Sequence, residues 1–312
     1  MREILTEFLT LDRKNGYTYY LKSGVEGFQI RRPEKEYEGY QLLKGFFEMP
    51  QVRLAQTETG AVLCIEGIEA PSCDFLVEDK PQEVADVLER FVEDTRIMWE
   101  ETKKPMDETR VVRDWRAETS ITIENLLQNQ IIQDLKNKSL VVNGQEYPSL
   151  GETLNAIRQR LEKPEKTMVL THGDEQIANL IAENGHCFVI DPGNYTGFNS
   201  PSSTVNNMVA GNYIFSYKYD SSIQNGDDLR IDYSLKPQYR KIEELTKPIF
   251  SRIYSLAQIL QGGQSQAKDF LFVNFVRCGL GWIRRPNIED LLATGLAYIG
   301  MATEMYYKGD II

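Results

Sequence analysis

The chain has 312 residues, 41% of them hydrophobic and 26% charged, long enough for one large domain or two modest ones, each with its own core. A net charge of -11 argues against nucleic acid as a partner, because binding its phosphates needs a basic face. Two histidines, His172 and His186, and four cysteines without a C-x-x-C pair supply neither a zinc cluster nor a Ser-His-Asp arrangement, and the cysteines read as buried free thiols.

Along the chain, the first ten residues carry acids where a signal peptide would be apolar, and no apolar run reaches the roughly 18 to 20 residues of a membrane span. The expected location is therefore the cytoplasm. Residues 7–12 and 17–23 are β-rich runs joined by Arg13-Lys14-Asn15-Gly16, whose Asn-Gly favours a tight turn. Gly24 and Gly27 bracket a second turn into a strand, Phe28-Gln29-Ile30-Arg31. Residues 33–47 place Tyr37, Tyr40, Leu43 and Phe47 at helical spacing behind Pro33, a residue that suits a helix start. Strands over 51–57 and 61–68 follow, joined by Glu58-Thr59-Gly60.

From Lys80 the pattern becomes helical. Residues 81–101, with Val84, Val87, Leu88, Phe91, Val92 and Ile97 in step, read as one amphipathic helix. Residues 115–135 and 150–161 continue that class, separated by Asn143-Gly144 and Pro148. An apolar strand over 167–170 leads into the segment 171–194, and helices are expected over 237–261, 264–282 and 288–307. The spacing predicts an α+β chain divided near residue 70, with a strand-rich part over 1–70 and a helical part over 71–312.

The segment 171–194, THGDEQIANLIAENGHCFVIDPGN, carries the chemistry. Two apolar runs, 179–183 and 186–191, flank Asn184-Gly185, the dipeptide that most readily takes the positive φ angles of a two-residue hairpin turn. The hairpin brings Asn179 and Asp191 to one end of a ribbon, with Asp174 just before it. Phosphoryl transfer needs such a set: an Asp to orient and deprotonate a hydroxyl, and carboxylate and amide oxygens to hold Mg²⁺ on a nucleotide triphosphate.

The set His172-Gly173-Asp174, Asn179 and Ile190-Asp191 resembles the catalytic core of the aminoglycoside phosphotransferase and choline kinase group of small-molecule kinases, where H-G-D-x-x-x-x-N stands in for the H-R-D-x-x-x-x-N of protein kinases. The stretch PGNYTGFNSPSSTVNNMVAGNYIFSY beyond Asp191 resembles the subset associated with sugar or surface-polysaccharide genes. That subset usually carries acids at the start of the following helix, where this chain has Ser203, Asn206 and Asn207. The resemblance implies a bilobal protein-kinase-like fold, with a nucleotide-binding lobe over 1–70 and a helical lobe over 71–312. It implies transfer of the γ-phosphoryl group of ATP or GTP to a hydroxyl of a small molecule such as a sugar, aminoglycoside or amino alcohol.

Asp174 then takes the catalytic role, Asn179 and Asp191 hold Mg²⁺, and His172 is structural. Arg31 stands where the family has lysine, with Arg32 or Lys22 as substitutes and Glu36 or Glu38 as its partner. The backbone of Glu66, Gly67 and Ile68 forms the edge that meets the base. Asp227, Asp228 and Asp232 could receive an amine, or form a solvated face. Arg31 and the glycine-poor first turn also motivate an alternative, a catalytically silent nucleotide-binding or scaffold protein of the same fold.

Overall fold

The computed structural model describes residues 19–23, 33–57, 60–183, 185–192, 195–216, 219–283 and 289–308. The strand expected over 7–12, the turn with Arg13 and Lys14, and Arg31 and Arg32 lie outside the described residues.

Strand β1 (Tyr19–Ser23), helix α1 (Pro33–Leu43), β2 (Val52–Thr57) and β3 (Gly60–Glu66) form the first group, with sheet order β1-β3-β2 and antiparallel pairing throughout. Helix α1 packs on this sheet through Tyr40, which is buried with Leu63 and Ile65. Glu36, Tyr40 and Leu43 share its buried face, whereas Glu38 points to solvent.

Helix α2 (Pro81–Thr102) buries Val84, Val87, Leu88, Phe91, Val92, Met98 and Trp99. Ile97, expected on that stripe, is instead exposed, because Met98 and Trp99 take the inward positions of that turn. After the short β4 (Lys104–Pro105) come α3 (Trp115–Gln128) and α4 (Gln130–Leu135). The single helix expected over 115–135 is thus two. Asn129 turns its side chain onto Ile131 N at 2.9 Å and starts a new helix instead of continuing the old one.

Strands β5 (Leu140–Val142) and β6 (Gln145–Tyr147) are joined by Asn143 and Gly144 at φ 48° and 78°, the pair of positive angles of a type I′ turn. Helix α5 (Leu150–Arg160) begins with a reciprocal capping box between Ser149 and Glu152. The catalytic segment then supplies β7 (Thr167–Thr171), β8 (Leu180–Glu183), β9 (His186–Val189) and β10 (Gly197–Asn199). Helix α6 (Pro201–Ser216), the hairpin β11 (Tyr219–Asn225) and β12 (Leu229–Leu235), and helices α7 (Arg240–Leu260), α8 (Ala267–Ile283) and α9 (Glu289–Lys308) complete the described chain.

Strand β7 is the spine of the larger part. It lies between β10 and β4, and buried Gln261 at the end of α7 holds its start. The Gln261 amide accepts from Lys166 N and Thr167 N at 2.7 and 3.0 Å and donates to Thr167 O at 2.8 Å. A buried amide satisfied on both sides by one strand fixes where that strand begins. Among the described residues no helix is long and apolar enough to cross a membrane. Cys73 and Cys187 are buried and Cys64 and Cys278 half-buried, all as free thiols. Burial pushes the Cys73 and Cys187 thiols up to about 12.

Candidate active site

At the end of β7 the chain makes a sharp turn. Gly173 sits at φ 87°, and a Cβ there would lie 2.6 Å from the backbone of Tyr195 and Thr196. Only glycine meets both demands, a left-handed φ and contact with a second strand of backbone. His172 beside it is buried, and its ring bridges two backbones: Nδ1 accepts from Asp174 N at 3.3 Å, which leaves Nε2 to donate to Ile190 O at 3.0 Å. This pairing fixes the tautomer and occupies both ring nitrogens with structure.

The turn delivers Asp174. Its Oδ2 accepts from Asn179 Nδ2 at 3.1 Å and from Gln176 Nε2 at 3.1 Å, and Asn179 Nδ2 also reaches Asp174 O at 2.9 Å. Burial pushes the Asp174 carboxyl up, against the lowering effect of His172 and of the Asn179 bond, while Glu175 and Asp191 push it up further. Because Asn179 donates through its nitrogen, its carbonyl oxygen is the atom left for a cation.

The hairpin forms as the Asn-Gly pair predicts. β8 and β9 pair in register from Leu180↔Val189 to Glu183↔His186, with Gly185 at φ 81°. It brings Asp191 back beside Asn179, whose backbone carbonyl accepts from Ile190 N at 3.0 Å. Asp191 itself takes φ 56°, a left-handed conformation that Asp tolerates better than most residues and that tends to mark functional sites. Helix α1 clasps this turn: Asp191 N donates to Tyr40 OH at 3.0 Å, and a Cβ on Gly39 would lie 2.9 Å from Pro192 Cβ.

One residue of the site gave no direct signal in the sequence. Glu175 is 3% exposed. Its Oε1 accepts from Gly173 N at 3.1 Å and Thr204 Oγ1 at 2.9 Å, and its Oε2 accepts from Asn207 Nδ2 at 2.7 Å. Its side-chain partners Thr204 and Asn207 lie on another element, so no local spacing announces it.

Of the nucleotide-side expectations, Glu36 is buried and Glu38 exposed, so only Glu36 is turned into the lobe. Glu66 N is committed to Gln51 O at 2.8 Å, which turns that amide away from a base. Asp227, Asp228 and Asp232 lie on the β11–β12 hairpin. Asp227 and Asp232 are exposed and Asp228 is within 3.7 Å of Arg230, an ordinary solvated arrangement. On the other side of Gly173, Tyr195 is 40% exposed and stacks on Arg113, whose guanidinium carbon lies 4.3 Å from its ring and 3.8 Å from that of Trp115. Arg113 lines a cleft shared with Glu165, Ser200, Gln266 and Phe270.

No protein-family model matches the chain, and no curated protein matches it significantly. Solved structures do. The chain superposes on two ternary complexes of a thermostable mutant of aminoglycoside phosphotransferase APH(4)-Ia. One holds ADP and hygromycin B, at 12% identity over 93% of this chain and 84% of that one, with a TM-score of 0.52. The other holds AMP-PNP and hygromycin B, at 14% identity over 93% and 85%, with a TM-score of 0.51. Likeness at such identity establishes the fold. The chain has the α+β, kinase-like fold of the aminoglycoside phosphotransferases, as the H-G-D and Asp191 signature implies.

Proposed function

We propose that the chain transfers the γ-phosphoryl group of ATP or GTP to a hydroxyl of a small molecule. The observation that carries this reading is the Asp174–Asn179 hydrogen-bonded pair with Asp191 delivered beside it by a two-residue hairpin. Asp174 orients the acceptor hydroxyl and takes its proton, and a carboxyl disfavoured as an anion by burial is the better proton acceptor. The side-chain amide oxygen of Asn179 and the Asp191 carboxylate are hard oxygen donors of the kind Mg²⁺ prefers, so the residues present fit that ion. When bound, Mg²⁺ would neutralise charge on the phosphates.

On the nucleotide side, Arg31 grips the phosphates with buried Glu36 as its brace, and the backbone of Gly67 and Ile68, next to the committed Glu66, meets the base. The lobe boundary falls near residue 70. Both superposed complexes of that enzyme hold an adenine nucleotide and hygromycin B, which supports a small-molecule acceptor. Such a site works by positioning and electrostatics, with little covalent chemistry supplied by the protein.

Nucleotide consumption with Mg-ATP and Mg-GTP is measured against aminoglycosides, amino alcohols, hydroxy amino acids and free sugars. Asp174→Ala is expected to keep nucleotide binding and to lower turnover by 10²-fold or more, on the order of a lost general base. Asp191→Ala is expected to abolish Mg-dependent nucleotide binding. Wild-type turnover in Asp174→Ala would refute the mechanism, and Mg-dependent binding without turnover across the panel would favour the silent scaffold.

A further inference from the structure

Glu175 is a buried carboxylate held by neutral donors: one backbone amide, one hydroxyl and one side-chain amide. Burying such a group is costly unless its oxygens are satisfied by hydrogen bonds. What it joins is specific. Gly173 belongs to the turn that presents Asp174, whereas Thr204 and Asn207 are one turn apart on the same face of α6. The next residue on that face, Gly211, continues the contact, since a Cβ there would lie 2.6 Å from Gln176 Cβ. Helix α6 thus lies flat against residues 173–176, with its donors aimed at one carboxylate. Asn207 Nδ2 also approaches Gly173 O at 3.4 Å. Both polar groups of the Gly173 backbone are therefore addressed from one cluster.

We infer that Glu175 is a positioning residue that sets the orientation of Asp174 by latching the 173–176 turn to α6, with the acid placed on the loop and the donors on the helix. The inference rests on the phosphotransferase reading for its effect on rate, but not for the latch itself. A turn with φ 87° at Gly173 has no regular ladder to hold it. Without the latch the turn keeps Asn179 and Gln176 as partners of Asp174 but loses its tie to the helix. A displacement of about 1 Å at a reacting group can cost 10²-fold in rate.

The test exchanges the polarity of the latch. Glu175→Met keeps the length of the side chain and leaves Gly173 N, Thr204 Oγ1 and Asn207 Nδ2 without their acceptor. It is expected to lower kcat about 10²-fold while leaving the nucleotide KM within about 3-fold. Asn207→Asp alone sets two carboxylates face to face and is expected to be similarly slow. Glu175→Gln combined with Asn207→Asp moves the charge to the helix, restores donor to acceptor, and is expected to recover most of the rate lost by Asn207→Asp. Space-filling alone cannot produce that recovery.

Hydrogen exchange at the Gly173 amide reads the latch without any turnover. It is expected to be slow in the wild type and in the double variant, and at least about 10-fold faster in Glu175→Met, an opening free-energy loss of about 1.4 kcal/mol. If the wild-type protein transfers no phosphoryl group, the functional reading fails and the exchange result still decides the latch. If Glu175→Met does not fold, Thr204→Val removes one donor from outside the loop and is expected to give the same effects in smaller measure. Wild-type kcat with unchanged Gly173 exchange in Glu175→Met, or in Thr204→Val where it stands in, overturns the inference. So does a double variant no better than Asn207→Asp.

Discussion

At the scale of single residues, the site separates side chains that hold the loop from those that would act on a ligand. His172 belongs to the first kind. Its ring accepts from Asp174 N and donates to Ile190 O, so it ties the turn that carries Asp174 to the hairpin end that carries Asp191. Replacing it by Phe keeps a planar aromatic ring, a somewhat larger one, and leaves a buried amide and a buried carbonyl unpaired, each costing about 1–3 kcal/mol. His172→Phe is therefore expected to lose roughly 2–4 kcal/mol of unfolding free energy in urea titration, with turnover falling alongside. Asp174→Ala is expected to leave the unfolding free energy within about 0.5 kcal/mol of wild type, because Asn179 keeps its bond to the residue 174 carbonyl and burial already disfavours the carboxylate that is removed. A His172→Phe protein of wild-type stability would mean that the ring's two bonds contribute nothing net.

Whole elements place these residues, and α1 does so most directly. Its Gly39 faces Pro192 and its Tyr40 hydroxyl takes the amide of Asp191. Gly39→Ala would put a Cβ 2.9 Å from Pro192 Cβ, closer than ring and helix tolerate, so α1 and the Asp191 turn must part by a few tenths of an ångström. The expected cost is about 1–3 kcal/mol of stability, together with a raised KM for Mg-nucleotide. Gly45→Ala, with nothing within 4 Å of its Cβ, is the matched control and should change neither.

The same elements mark how much the sequence could disclose. The β8–β9 hairpin was legible because Asn-Gly sets its turn locally, and α1 and α2 because each has a single buried stripe. The sheet β11-β12-β5-β6 was not. Its β5–β12 pairing is parallel, from Leu229↔Leu140 to Ile231↔Val142, between strands some ninety residues apart in the chain, and β11 carries Asp220, Ser222 and Gln224 on its exposed face. The break at Asn129 turns on a side-chain cap that competes with an otherwise helical pattern. Glu175 escaped for a similar reason: its partners sit on a different element, about thirty residues downstream.

Across the whole molecule, burial has pushed several carboxyls in one direction. Desolvation raises Asp94, Glu165, Asp174, Glu243 and Asp269 above their ordinary range. Glu93, Asp107 and Glu152 move the other way through hydrogen bonds, but their carboxyls lie at the surface and surface pairs contribute little. The buried groups therefore decide the sign. Asp269 is the clearest, because burial lifts its carboxyl from 3.8 to about 6 despite the Arg160 guanidinium 2.9 Å away. A carboxyl raised on folding binds its proton more tightly in the folded chain than in the unfolded one. Its stabilising contribution is full below the unfolded value and is lost as pH rises through the folded value. The loss falls between about pH 4 and 6 and amounts to about 3 kcal/mol for Asp269. Asp269→Asn keeps an oxygen for Arg160 and for Tyr306 OH, 3.2 Å away, and carries no titrating proton. Thermal unfolding from pH 4 to 8 is expected to show wild-type stability declining across that window and the Asp269→Asn curve declining less, so that the two differ most in shape between pH 4 and 6. Parallel curves would mean that Arg160 compensates the buried charge in full, and that the molecule carries this anion at no cost.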